Sequence, residues 1–110
     1  MPNTKIYVDE GVWTERRTAF EEVLMPIREL LCDRLGVSTG ACQLALIPVT
    51  GLADQPLVNI ELMILPKPER TPDTIGALCS ELQDMMGERA GTHVAVRAAA
   101  LDPDTYVALK

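Results

Sequence analysis

The sequence predicts an α/β domain built from two tandem β-α-β units, with a four-stranded mixed sheet covered by two helices on one face. Three observations carry this. Two long stretches repeat apolar residues at spacings of three and four, the period of an amphipathic helix. Short β-branched runs flank each stretch, giving the order β-α-β-β-α-β. Each half also contains a crossover long enough to join two parallel strands. Helix-start markers at Thr14 and Thr71, and helix-stop markers at Gly36 and Gly91, recur at nearly the same spacing. This is a repeat of element order without evident residue identity. The halves run about 2–50 and 57–101 within one domain spanning 1–110.

The elements follow in order. Thr4 to Asp9 is β-branched or aromatic at several positions and reads as a strand. Glu10-Gly11 breaks it, and Thr14 is placed to cap a helix. Phe20, Val23, Leu24, Ile27, Leu30, Leu31 and Leu35 form that helix's apolar stripe, and Gly36 stands where a left-handed cap belongs. Pro26 falls inside the stripe and predicts a kink, because it cannot donate to the carbonyl of Glu22. Leu44 to Val49 is a second strand, residues 50–56 a loop, and Val58 to Leu65 a third strand. After a Pro66–Arg70 connection, Thr71-Pro72-Asp73 supplies a cap, an N1 proline and a first-turn acid for the second helix. Ile75, Leu78, Cys79, Leu82, Met85 and Met86 are its stripe, and Gly91 its stop. Val94 to Ala100 is the fourth strand, followed by a short tail.

Composition narrows the function. The chain has 110 residues, 47% of them hydrophobic, and a net charge of −6. That acidity argues against nucleic acid and anionic membranes as partners, which favour basic surfaces. No apolar run reaches the ~18 residues of a membrane span. The first residues lack the pattern of a secretory leader, so a cytoplasmic location is expected. Cys32, Cys42 and Cys79 form no CxxC motif, and His93 is the only histidine. Neither a metal nor a cofactor is expected, and the cysteines read as free thiols. Strands two, three and four are apolar on both parities, so the face away from the helices calls for cover by another copy.

Few side chains look equipped for catalysis. Asp9 and Glu10 are ordinary acids at a strand end, and Arg16 and Arg17 a solvated helix turn. Pro2 stands out. Removal of Met1 would leave it with a free secondary amine, fixed at a sheet edge by the strand that starts beside it. Burial and neighbouring cations lower an α-amino pKa towards neutrality, where the group shuttles protons well.

Pro2, Ile6 and Glu10-Gly11, followed by the long helix, make a P-x-x-x-I-x-x-x-E-G pattern. It resembles the start of 4-oxalocrotonate tautomerase, in the tautomerase superfamily. The doubled length resembles malonate semialdehyde decarboxylase, 5-carboxymethyl-2-hydroxymuconate isomerase and the macrophage migration inhibitory factor group. The resemblance implies a homotrimer with Pro2 as the acid-base catalyst in a pocket between subunits. The implied activity moves a proton on a small 2-oxo or enol carboxylic acid. Other positions depart from the pattern. Val12 stands where the tautomerase has arginine after Glu-Gly, and about Gln43 where it has a second one. Val37 replaces the lysine of the migration inhibitory factor group, and Arg97 falls near its fourth-strand asparagine. Arg70 matches the general location of a substrate arginine in the decarboxylase branch. Arg70 and Arg97, with Lys67 behind them, are therefore the expected carboxylate-binding residues. Arg70, at a helix start, is expected to matter less for stability than Arg97, within a strand. Two alternatives stay open. One is a related decarboxylase or hydratase acting on a 3-oxo acid. The other is a non-catalytic ferredoxin-like binding module with the same element order.

Overall fold

A computed structural model describes residues 2–110 of the chain. Met1, and with it the expected exposure of the Pro2 amine, lies outside the described residues. Strand β1 covers Asn3–Asp9, helix α1 Glu10–Leu35, β2 Gln43–Val49, β3 Val58–Ile64, α2 Pro72–Ala90 and β4 Val94–Ala100. A 3-10 turn at Thr39–Ala41 leads into β2.

The sheet order is β2-β1-β3-β4. β1 lies parallel to β2, β3 parallel to β4, and the halves meet through the antiparallel pair β1–β3. A ferredoxin-like split β-α-β unit would insert a strand between the partners of each crossover. Here the partners pair directly, so the topology is not ferredoxin-like.

Alternation sets the faces. Ile6 and Val8 of β1 and Val58, Ile60, Leu62 and Ile64 of β3 point towards the helices and are buried. They pack with Phe20, Val23, Ile27, Leu31 and Leu35 of α1 and with Leu78, Leu82 and Met86 of α2 in one core. The middle of each predicted stripe is buried, while Leu24, Leu30, Ile75 and Met85 are half-buried against the core. No helix among the described residues is long and apolar enough to cross a membrane.

Helix α1 differs from expectation at two points. It starts at Glu10, one turn earlier than Thr14, because the Asp9 carboxylate accepts from the Gly11 N–H at 3.0 Å and caps it. Thr14 lies inside, its hydroxyl donating back to the Glu10 carbonyl at 2.8 Å. The break in helical dihedrals falls at Arg16 (φ −129°, ψ 19°) rather than at Pro26. Pro26 is on the exposed side, where a carbonyl freed from the ladder is hydrated. Arg16 instead serves the end of α2. Its guanidinium donates to the Arg89 carbonyl at 3.3 Å and lies over Gly91, whose left-handed φ of 64° and missing Cβ both suit the contact.

The open face is less apolar than the two-parity reading implies. Its central positions are Asn3, Lys5 and Tyr7 on β1 and Asn59, Glu61 and Met63 on β3. The register aligns Lys5, Glu61 and Arg97 in one row across three strands. Leu65 lies past the end of β3. Apolar residues on this face sit mainly on the edge strands, at Ala45, Ile47, Ala95 and Ala99.

The register also uncovers residue identity between the halves. The shift that carries Ile6 onto Ile60 keeps helix-facing positions on helix-facing positions, and it carries Pro2 onto Pro56. The P-x-x-x-I pattern therefore occurs twice. Helix-to-helix spacing hides it, because the two helices start at different distances from their strands.

Candidate functional site

Pro2 is buried at the head of the central strand β1. Its carbonyl accepts from the Gln43 N–H at 3.0 Å. At this end of the sheet β2 begins and β3 and β4 finish, as the pairs Asn3–Gln43, Asn3–Met63 and Met63–Ala99 require. Pro2 thus stands between the edge of β2 on one side and the connection into α2 on the other.

That connection carries Arg70 and Lys67. It folds back as a turn, with the Arg70 N–H donating to the Lys67 carbonyl at 2.9 Å. The Arg70 guanidinium then ties two elements together. Nη1 donates to the Leu65 carbonyl at 2.7 Å and Nη2 to the Leu35 carbonyl, at the end of α1, at 3.1 Å. Nε is buried with no hydrogen-bond partner among the described residues. A guanidinium has five N–H donors, so the two carbonyls leave donors over for an anion. Beside it lies a cavity of about 280 Å³, walled by Ile64, Pro66, Pro72, Ile75 and the end of β4. The N-terminus of α2, capped by the Thr71 hydroxyl accepting from the Thr74 N–H at 3.2 Å, adds its positive end to the same wall. Lys67 is exposed on the turn.

The β2 side holds residues that sequence reasoning missed. A cavity of about 540 Å³ opens there, lined by Lys5, Leu24, Arg28, Cys42 and Gln43 among others. Lys5 and Arg28 are its charged lining, which includes no carboxylate. Arg28 Nη2 approaches the Met25 sulfur at 3.2 Å, and its Nε is buried with no partner among the described residues. Burial and the neighbouring Cys32 thiol push the Cys42 thiol up to about 11, while the charge of Arg28 acts to lower it. An anion entering here meets two cations and the Gln43 side of the strand bonded to Pro2. The available signal was position: Arg28 follows Leu24 by four and precedes Leu31 by three, which puts a charge at the edge of the buried stripe.

Arg97 lies elsewhere. It is exposed on the open face, donating from Nη1 to Asn59 Oδ1 at 3.1 Å, in the row of Lys5 and Glu61. It lines a separate pocket of about 420 Å³ with Tyr7 and Pro56. Within the protomer, Arg70 and Lys67 share the sheet end of Pro2 and Arg97 does not. His93 is exposed just ahead of β4. No group of three or more His, Cys, Asp or Glu among the described residues could hold a metal ion.

The fold is the one seen in solved macrophage migration inhibitory factor-like, fused 4-OT and malonate semialdehyde decarboxylase structures. No family model matches the sequence, and no curated protein matches it by sequence. Solved structures do match in fold. A macrophage migration inhibitory factor-like protein from Entamoeba histolytica aligns at TM-score 0.68 and 10% identity, over 97% of this chain and 94% of that one. A fused 4-OT, solved as an asymmetric trimer, aligns at TM-score 0.72 and 16% identity, over 96% and 91%. Malonate semialdehyde decarboxylase, described as having decarboxylase and hydratase activities, aligns at TM-score 0.68 and 13% identity, over 98% and 91%.

Proposed function

We propose that this chain is a tautomerase-type enzyme that moves a proton on a small 2-oxo or enol carboxylic acid. The amine of Pro2, freed of Met1, is the acid-base group. The observation that carries the reading is the setting of Pro2: buried at the head of the central strand, between two cavities whose linings hold cations and no carboxylate, in a protein of net charge −6.

The chemistry follows from that setting. Desolvation and the positive field of Arg70, Arg28 and Lys5 disfavour the ammonium form and bring the amine towards neutrality. The spare N–H donors of Arg70 hold the substrate carboxylate, and Lys67 extends the cationic rim. The amine takes the acidic C–H or enol O–H proton and returns it at the other end of the O–C–C enolate, to oxygen or to carbon. The cations stabilise the enolate charge between the two steps. The working unit is a homotrimer, in keeping with the fused 4-OT of like fold and with the apolar edge strands. Decarboxylation or hydration of a 3-oxo acid is the second reading. The place of Arg70 just before α2 and the likeness to malonate semialdehyde decarboxylase favour it.

Turnover of phenylpyruvate and 2-hydroxymuconate by the trimmed protein, a Pro2→Ala variant and a Met1-retaining form tests the proposal. The alanine variant keeps a primary amine and part of the activity, while the Met1 form loses nearly all of it. Equal rates in the three forms would remove Pro2 from the mechanism.

A further inference from the structure

Two of the three cysteines meet beside the β2-edge cavity. Cys32 lies in the last turn of α1, and Cys42 stands immediately before β2. The chain between them doubles back. The Val37 N–H donates to the Cys32 carbonyl at 3.1 Å and closes α1, and the Cys42 N–H donates to the Thr39 carbonyl at 3.2 Å and closes the 3-10 turn. Cys42 is buried in the core, and Cys32 packs half-buried against it. The two thiols are near enough to share a side-chain hydrogen bond. Cys42 has the parity of Leu44 and Leu46, which pack on the core, so the pair lies on the helix side of the sheet and away from the open face. Cys42 also lines the cavity of about 540 Å³ with Arg28, one turn before Cys32 on α1, which gives a small oxidant a way in.

We propose that Cys32 and Cys42 are a redox pair, joined by a reversible intrachain disulfide when the protein meets a peroxide. The Cys32 thiolate, on the more open side, attacks one peroxide oxygen. An S–O bond forms, the O–O bond breaks, and the released hydroxide takes up the proton that Cys32 had lost. The Cys42 sulfur then attacks the sulfenic acid. The S–S bond forms, the S–O bond breaks, and the Cys42 proton leaves with the hydroxide as water. Two thiols thus lose two electrons and two protons, and hydrogen peroxide becomes two waters. Burial holds Cys42 as the thiol, so Cys32 reacts first and Cys42 resolves; the charge of Arg28 offsets part of that burial. The bond ties the end of α1 to the residue before Gln43, whose N–H holds the Pro2 carbonyl at 3.0 Å. The pair does not depend on the chemistry assigned to Pro2.

The experiment adds hydrogen peroxide stepwise to the reduced full chain, blocks the remaining thiols with N-ethylmaleimide and maps tryptic peptides by mass. Trypsin cuts after Arg34, between the two cysteines, so the bond joins two separate peptides. The Cys32 and Cys42 thiols are expected to disappear together into one cross-linked pair, and dithiothreitol to restore both. Burial raises the Cys79 thiol too, so Cys79 stays a thiol at that dose and serves as the internal control. Cys32→Ser should slow loss of the Cys42 thiol by at least about ten-fold. Cys42→Ser should leave Cys32 as a sulfenic acid that dimedone traps. Should either variant fail to fold, the peptide map of the parent decides. Cross-links through Cys79 or between chains overturn the proposal, as does oxidation of Cys79 ahead of the pair. So does the absence of any cross-link by the dose that turns the exposed Met25 into its sulfoxide.

Discussion

Replacing Arg70 with alanine separates its two roles. The side chain donates to the Leu65 carbonyl at 2.7 Å and to the Leu35 carbonyl at 3.1 Å, tying the end of β3 to the end of α1. A hydrogen bond from a charged donor contributes about 1.5–3 kcal/mol when well formed. Both bonds here are only partly buried, so a combined loss of about 2–4 kcal/mol is expected. For a domain near this size, each kcal/mol lowers the melting temperature by about 4–8 °C. Thermal and urea unfolding at one fixed chain concentration measure it, since stability depends on concentration wherever a chain self-associates. Arg97→Ala forfeits one exposed hydrogen bond to Asn59 and should cost less than about 1 kcal/mol. This order is the reverse of what position in the sequence suggests, because a helix-start arginine turns out to be a tie and a strand arginine a surface group. Arg70→Lys keeps the charge but not the fork, so it should recover carboxylate affinity better than stability. If Arg70→Ala melts like the parent, the two carbonyl bonds contribute nothing and the tie is wrong.

Other perturbations read different parts of the molecule. Arg28→Gln should weaken binding of a small carboxylate by about 1.5–3 kcal/mol, measured by calorimetry, if its guanidinium contacts the anion; unchanged affinity removes the β2-edge cavity from the site. Leu82→Ala, at a fully buried position, should destabilise by about 2–5 kcal/mol in urea unfolding. The Cys42 thiol, raised to about 11, should contribute stability below pH ~8.5 that is lost as pH rises through its folded value, since the unfolded chain releases that proton first. Unfolding of the parent and of Cys42→Ala across that range should therefore converge at high pH. The buried Thr4 hydroxyl has no partner among the described residues, so Thr4→Val should be neutral or stabilising; a clear loss would mean the hydroxyl is used.

The sequence made legible what depends on period and punctuation. Both helix stripes, the caps at Thr71, Gly36 and Gly91, and all four strands follow from short-range spacing, which the backbone obeys locally. The start of α1 is not legible from the sequence because Asp9 and Thr14 are both good caps, and only the strand's end decides between them. The polar centre of the open face was hidden for a related reason. β3 reads as apolar on both parities only when Leu65 is counted, and Leu65 lies past the strand. Arg70 and Lys67 stand at the Pro2 end of the sheet because they lie on the link from the end of β3 to α2, which the sequence order alone does not show. Arg28 was missed because a single charge beside a stripe looks like an ordinary surface residue until β2 closes over it. Arg97 shows the limit from the other side: its strand was evident, but which pocket it lines depends on the order of strands.

The sheet order also bears on how the chain emerges from the ribosome. β1 is made first, yet its second edge is completed only by β3, more than forty residues after β1 ends. Until then β1, α1 and β2 form a half with a bare row of backbone donors and acceptors along a future central strand. Such an edge pairs readily with other chains. Its stretch of Asn3, Lys5, Tyr7 and Asp9 puts charge and amide groups beside the exposed backbone, which discourages a second nascent copy from docking there before the proper partner arrives.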